Sequence, residues 1–250
     1  YEIYNRLMEE NGLPALPPVP LEKRVLEYED VYPMLYLKYR LCKGESRRTI
    51  RHLVIDEMQD YSYLQYVILE KLFDCRMTIL GDKAQTVDTR QQDVLKFLPK
   101  IFGRDVRKIE MNKSYRNTIE IAEYARNVSD VKGIEYMQRH GKPVEEMTCS
   151  TPAAALDDVL EKVRIGGDRY ETAAVLTMTE REAKEAFSYL KNRKEDVCYI
   201  DRDSSVFRKG ITVTTYYMAK GLEFDQVFVA GGQEKNPFFK QFRYICATRA

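Results

Sequence analysis

The run Leu53-Val54-Ile55-Asp56-Glu57-Met58-Gln59-Asp60 joins an apolar stretch to adjacent carboxylates. At the carboxyl end of a strand, Asp56 can hold Mg²⁺, usually through water, and Glu57 can take a proton from an attacking water or orient it. Adjacent side chains on a strand point to opposite faces, so both serve one site only where the strand is ending. The same acids also suit a helix N-terminus, where they favour the dipole. ILGDKAQ, residues 79–85, is a second apolar run, stopped by Gly81-Asp82. Its Gln85 is a neutral amide that can sense a terminal phosphate without competing for metal. NKSYRN, residues 112–117, offers the donor fork of Arg116 to a phosphate. Its Tyr115 either stacks on a base or packs into the core. In TTYYMAKGLEFDQVFVAGG, residues 214–232, Gly221 lets backbone approach a ligand and Glu223 can accept from a ribose hydroxyl. YICATRA, residues 244–250, places Arg249 near a helix end, where an arginine at a cleft can stabilise phosphoryl-transfer charge.

These residues need elements that end where they stand. The hydrophobic periods predict strands over 53–55, 77–80, 106–111, 173–177, 197–200, 211–215 and 226–230. Helices are predicted over 25–41, 63–73, 94–101, 118–128, 153–163, 180–192 and 239–248. Short buried strands alternating with helices argue for a parallel α/β fold, whose ligands bind outside the carboxyl ends of the strands. The prolines at 14, 17, 18 and 20 mark residues 1–20 as a connector. The softest internal boundary falls near 100–112, giving 21–108 and 109–250 as two domains. Tyr61, Tyr63 and Tyr66 are read as packing the helix that follows the carboxylates. His52 shows no partner, and Cys246 reads as a small core residue.

Composition narrows the class. The 250 residues carry 40 basic and 39 acidic side chains, a net charge of +1, with 44% hydrophobic and 32% charged residues. These proportions exclude a disordered chain and a disulfide scaffold, and the charge excludes a uniformly basic nucleic-acid binder while leaving room for a local basic groove. The five cysteines are scattered without a CxxC pair and there are two histidines, so no structural zinc site is expected and a reducing, cytoplasmic location is. No window is apolar enough to span a membrane, and no charged leader precedes an apolar run. Tyr1 and the closing CATRA both sit in mid-pattern, so the chain reads as part of something longer.

In order and spacing the five segments resemble motifs II, III, IV, V and VI of the UvrD/Rep-like superfamily 1 helicases, over the stretch from about His52 to the last residue. The resemblance implies two RecA-like P-loop NTPase domains with parallel sheets, ATP held between them, and the first domain incomplete here. It implies Asp56 on Mg²⁺, Glu57 as base for water, Gln85 on the γ-phosphate and Asp82 linking that sensing to the strand groove. It further implies Tyr115 on adenine, Arg116 on the γ-phosphate, Glu223 beside Gly221 on the ribose, and Arg249 as the second-domain arginine finger. Thr215, Tyr217 and Lys220 fall with the coupling or DNA-binding positions. The activity implied is ATP-dependent translocation on single-stranded or forked DNA.

The sequence departs from that pattern in three ways. No G-x-x-x-x-G-K-[ST] occurs, so the phosphate-cradling loop and its lysine are expected in a missing N-terminal part, and the chain alone is expected not to hydrolyse ATP or bind it tightly. Asp88 stands near the place of a DNA-stacking aromatic, and Tyr217 where a histidine is common; a lost platform weakens strand grip by about 1–3 kcal/mol per base. Between Arg116 and Val213 there is no room for a large inserted subdomain. The missing insert, DEMQDYS and the Tyr/Leu-rich run LEYEDVYPMLYLKYRL are closer to the HelD-like branch. That resemblance implies an alternative partner, RNA polymerase, remodelled by an ATP-switched module with little unwinding.

Overall fold

Most of the apolar runs form strands and the amphipathic stretches between them form helices, and every strand ladder among the described residues is parallel. The computed structural model describes residues 2–17, 20–23, 25–41, 49–82, 85, 93–103, 106–129, 135–163, 170–193, 196–204, 208–232 and 234–250. The chain divides into two units, Tyr1–Asp82 with Arg90–Lys108, and Lys83–Thr89 with Ile109–Ala250.

In the first unit, helix α1 (Glu2–Glu10) and helix α2 (Tyr28–Leu41) are tied by a hydrogen bond from the Tyr4 hydroxyl to Asp30. Burial, followed by that carboxylate, pushes the Tyr4 hydroxyl up to about 12. Residues 1–20 are therefore not simply a connector. Residues 2–10 coil because Tyr4 has a buried partner to reach, whereas 13–17, with two prolines, form no regular element. Strand β1 (His52–Ile55) pairs with β2 (Arg76–Ile79), with Ile55 opposite Ile79. Between them runs α3 (Tyr63–Leu72), opened by a capping box in which Ser62 and Gln65 satisfy each other's backbone N–H groups. Helix α4 (Val94–Phe102) completes a core of Ile55, Tyr66, Val94, Phe97 and Leu98. Tyr66 is fully buried with Tyr61 tilted against it, as expected, whereas Tyr63 is 45% exposed and meets Phe97 of α4 edge-on. His52 does have a partner: its Nε2 lies 2.8 Å from Thr78 Oγ1 on β2.

The second unit holds the longer sheet. Strands β5 (Thr172–Thr177), β6 (Val197–Tyr199), β7 (Gly210–Thr215) and β8 (Gln226–Val229) lie in the order β6-β7-β5-β8. The period of two along β5 decides the layering. Ala174 and Leu176 join a core with α5 (Ile119–Val128) and α8 (Phe239–Ala247), while Ala173 and Val175 join one with α6 (Pro152–Lys162) and α7 (Glu180–Lys191). With helices over both faces, β7 is buried at every residue, which explains its unbroken apolar and threonine run. Cys246 is fully buried, and burial drives its thiol far above the usual range. A two-residue pair, β3 (Lys113–Ser114) with β4 (Glu135–Tyr136), stands apart. The strand expected over 106–111 does not form. These residues are exposed, Ile109 and Met111 strongly so, because among the described residues no strand lies beside them to take the ladder. No helix among the described residues is long and apolar enough to cross a membrane.

Candidate functional site

In the first unit the two carboxylates stand at the point where β1 stops. Glu57 has φ 52° and ψ 49°, the only non-glycine residue in the left-handed region among those described. This turn breaks the strand's alternation immediately after Asp56, which is how neighbouring residues can serve one edge. Asp56 is exposed, and its Oδ1 accepts from the Glu57 N–H at 2.8 Å. The tail beyond β1 is sewn to the tail beyond β2: Leu80 N–H donates to the Ile55 carbonyl and Met58 N–H to the Leu80 carbonyl, each at 2.8 Å. The Tyr66 hydroxyl donates to the Met58 carbonyl from the core side.

Gln59 is a candidate residue that the sequence reading did not single out. It is 2% exposed, and it uses both ends of its amide. Its Nε2 donates to Glu57 Oε2 at 2.5 Å, and its Oε1 accepts from the Asp82 N–H at 3.1 Å. A buried amide joined to both segments connects the Glu57 carboxylate with Asp82, the residue expected to couple. Its only local signal was its place two residues after Glu57.

The second unit brings together residues from four separate segments. Arg116 Nη2 pairs with Glu223 Oε1 at 2.6 Å, with both side chains about half exposed. Asn117 Nδ2 donates to the Ala250 carbonyl at 2.6 Å, and the Phe224 N–H donates to the Arg249 carbonyl at 2.9 Å. Arg249 is 2% exposed, and its Nη2 donates to Gln85 Oε1 at 2.9 Å. The expected arginine finger is thus a buried guanidinium held against the expected phosphate sensor. Tyr115 is 63% exposed, with Lys113 Nζ 5.6 Å from its ring centroid, so it is not a core residue. Gly221 has φ +79° and open space where a side chain would stand.

The expected coupling positions lie beyond β7. Thr215 is buried at the strand's end, and Lys220 is half-buried in the turn that follows. The Tyr217 hydroxyl donates to Glu180 Oε1 at 3.0 Å, and Arg202 lies 4.0 Å from the same oxygen. Asp88 falls outside the described residues.

Taken unit by unit, the donor chemistry fits separate parts of a magnesium nucleotide. Among the described residues no group of three or more His, Cys, Asp or Glu could cage a metal. A single exposed carboxylate such as Asp56 is nonetheless what Mg²⁺ needs when phosphates and water supply its other ligands. Arg116 and Glu223 form a surface pair worth about 0–1 kcal/mol, weak enough for a phosphate or a ribose to displace.

Residues 1–88 match the family model described as the UvrD/REP helicase N-terminal domain. No curated protein sequence matches the chain. Among solved structures, the C-terminal domain of a possible DNA helicase from Lactobacillus plantarum WCFS1 is similar at 24% identity and a TM-score of 0.38, over 55% of this chain and 82% of that one. An S. cerevisiae Dbp5 variant bound to a Gle1 variant and IP6 is similar at 14% identity and a TM-score of 0.36, over 77% of this chain and 45% of that one.

Proposed function

We propose that the chain is part of an ATP-dependent UvrD-like DNA helicase, built on two RecA-like units, that couples Mg-ATP hydrolysis to movement on single-stranded DNA. One observation carries the reading: the Arg116–Glu223 pair stands in a unit that also joins Asn117 to Ala250, Phe224 to Arg249, and Arg249 to Gln85. Four segments that the sequence marks for nucleotide chemistry are thereby linked by their own hydrogen bonds. The match of residues 1–88 to the UvrD/REP model supports the same reading.

Bound Mg-ATP would supply the phosphoanhydride whose hydrolysis powers the cycle. Asp56 would hold the metal, largely through its waters. Glu57, steadied by Gln59, would take the proton of the attacking water. Arg116 would exchange Glu223 for the terminal phosphate, which leaves Glu223 to accept from the ribose. Tyr115 offers an exposed ring to the base. Gln85, hydrogen-bonded to Arg249, would sense the terminal phosphate, and the Gln59 amide would carry the Glu57 state to Asp82.

The test is ATPase of a protein that carries this chain together with a G-x-x-x-x-G-K-[ST] loop, with and without single-stranded DNA. Glu57→Gln is expected to lower DNA-stimulated turnover by about 10²- to 10⁴-fold. Unchanged turnover in that variant would overturn the reading. The 250 residues alone, without the loop, are expected to show no turnover.

A second reading has an observation of its own. Tyr217 is bound to Glu180, and a carboxylate at that edge opposes a nucleic-acid phosphate. It favours an ATP-switched module acting on RNA polymerase. DNA-independent turnover lost in Glu57→Gln, with polymerase subunits retained by the bound protein, would select it.

A further inference from the structure

The segment 135–141 runs beside 112–120, and its bonds fall before, on and after the loop that carries Tyr115 and Arg116. Before the loop, Glu135 N–H donates to the Asn112 carbonyl at 2.7 Å, β3 pairs with β4, and Met137 N–H reaches the Ser114 carbonyl at 3.3 Å. On the loop, Arg139 Nη2 donates to the Arg116 carbonyl at 2.6 Å. After it, the Ile119 N–H donates to the Arg139 carbonyl at 2.9 Å. Glu120 then closes the far end: its Oε2 accepts from the Gly141 N–H at 2.8 Å and its Oε1 lies 2.9 Å from His140 Nδ1. The fit is close, since a side chain on Gly141 would meet the Thr118 methyl at 2.7 Å.

Arg139 is an exposed residue, and water would satisfy its guanidinium at no cost. It turns back onto a carbonyl instead. The loop it grips has its backbone bonded on both sides, yet Tyr115 and Arg116 keep about half or more of their side chains open to solvent. Fixed backbone with free side chains is the arrangement that spares a ligand the entropy of ordering the loop.

We infer that segment 135–141 is a splint that pre-positions Tyr115 and Arg116, with Arg139 and Glu120 as positioning residues; the inference rests on the nucleotide role given above to that loop. The Glu120 carboxyl, held down to about 2 first by the Gly141 N–H and then by His140, accords with a carboxylate built into the contact.

Two measurements test it. In the 250-residue chain, Arg139→Gln is expected to speed hydrogen exchange of the Met137 and Ile119 amides, which donate across the contact, while the denaturation midpoint stays put. In the protein that also carries the phosphate loop, the same variant is expected to raise KM for Mg-ATP roughly three- to tenfold with kcat changed less than about twofold. Arg139→Lys, which keeps one donor, is expected to recover most of the affinity. A variant that merely unfolded part of the population would lower kcat and leave KM alone. Wild-type protein without ATPase would overturn the functional reading and this inference with it. Active wild type, with KM and exchange unmoved by Arg139→Gln, would overturn the splint alone.

Discussion

Glu57 stands in the left-handed backbone region at the point where β1 ends. A left-handed backbone costs an ordinary side chain about 1–2 kcal/mol, and here it is held by bonds on either side of the turn. Gln59 uses its whole amide to keep the Glu57 carboxylate and the Asp82 N–H in one frame. The frame leaves no spare volume. A Cβ placed on Gly81 would stand 2.5 Å from Gln59 Oε1 and 2.6 Å from the Met58 nitrogen, and backbone cannot yield as a flexible side chain can. Gly81→Ala is therefore expected to lower stability by about 1–3 kcal/mol, read as a shift of the urea midpoint at constant slope. A midpoint within experimental scatter of wild type would mean the two strand tails part easily. Arg116 and Glu223 behave in the opposite way: their pair is exposed and weak, suited to exchange rather than to stability.

At the scale of elements, β5 is the keystone of the second unit. It pairs with β7 on one side and β8 on the other, and its alternate residues enter both cores. Leu176 is fully buried there, one residue before the strand's end. Leu176→Ala is expected to cost about 2–5 kcal/mol, measured by urea denaturation followed by circular dichroism. A loss under about 1 kcal/mol would show that the helix layer of α5 and α8 collapses freely into the space. Helix α7 is held at its start by the Thr179–Glu182 capping box, and Glu182 also stands 3.5 Å from the Gly232 N–H beyond β8. Two strand ends at the carboxyl edge of the sheet are thus tied to one helix terminus. The failed strand at 106–111 shows the limit of local pattern: an apolar pattern with no neighbouring strand among the described residues leaves Ile109 and Met111 in solvent.

For the molecule as a whole, the charge is balanced at neutral pH, and acid acts both through particular carboxylates and through the positive charge left as the 39 acidic side chains protonate beside 40 basic ones. Glu120 is held down to about 2 by the Gly141 N–H and His140, Glu145 is lowered by Lys162, and Asp201 is lowered by the Ser204 hydroxyl. A carboxyl whose folded-state pKa is depressed contributes stability above its unfolded value and loses it as pH falls toward the folded value. For Glu120 that window runs from the ordinary 4.5 down to about 2. Stability is therefore expected to fall between pH 4.5 and 2, and Glu120→Gln to flatten part of that fall; equal acid sensitivity in the two proteins would contradict the assignment.

Much of this protein could be read from its residues alone. Apolar runs of three to five residues located the strands of the β1–β2 pair and of the four-stranded sheet, though not β3 and β4, and the acids and amides at their ends marked the candidate site. Those signals are local: a strand's period, a turn residue and a helix start each lie within a few positions of one another. What tertiary structure decided is the set of partners. Arg249 meets Gln85 across 164 residues of chain, Asn117 meets Ala250 across 133, and Arg139 meets Arg116 across 23. Tyr115 is exposed, and residues 2–10 are helical, because of what lies or does not lie beside them in space. Hydrogen bonds of that span follow no period in the sequence; they exist only once the layers have packed and brought the donors to their acceptors.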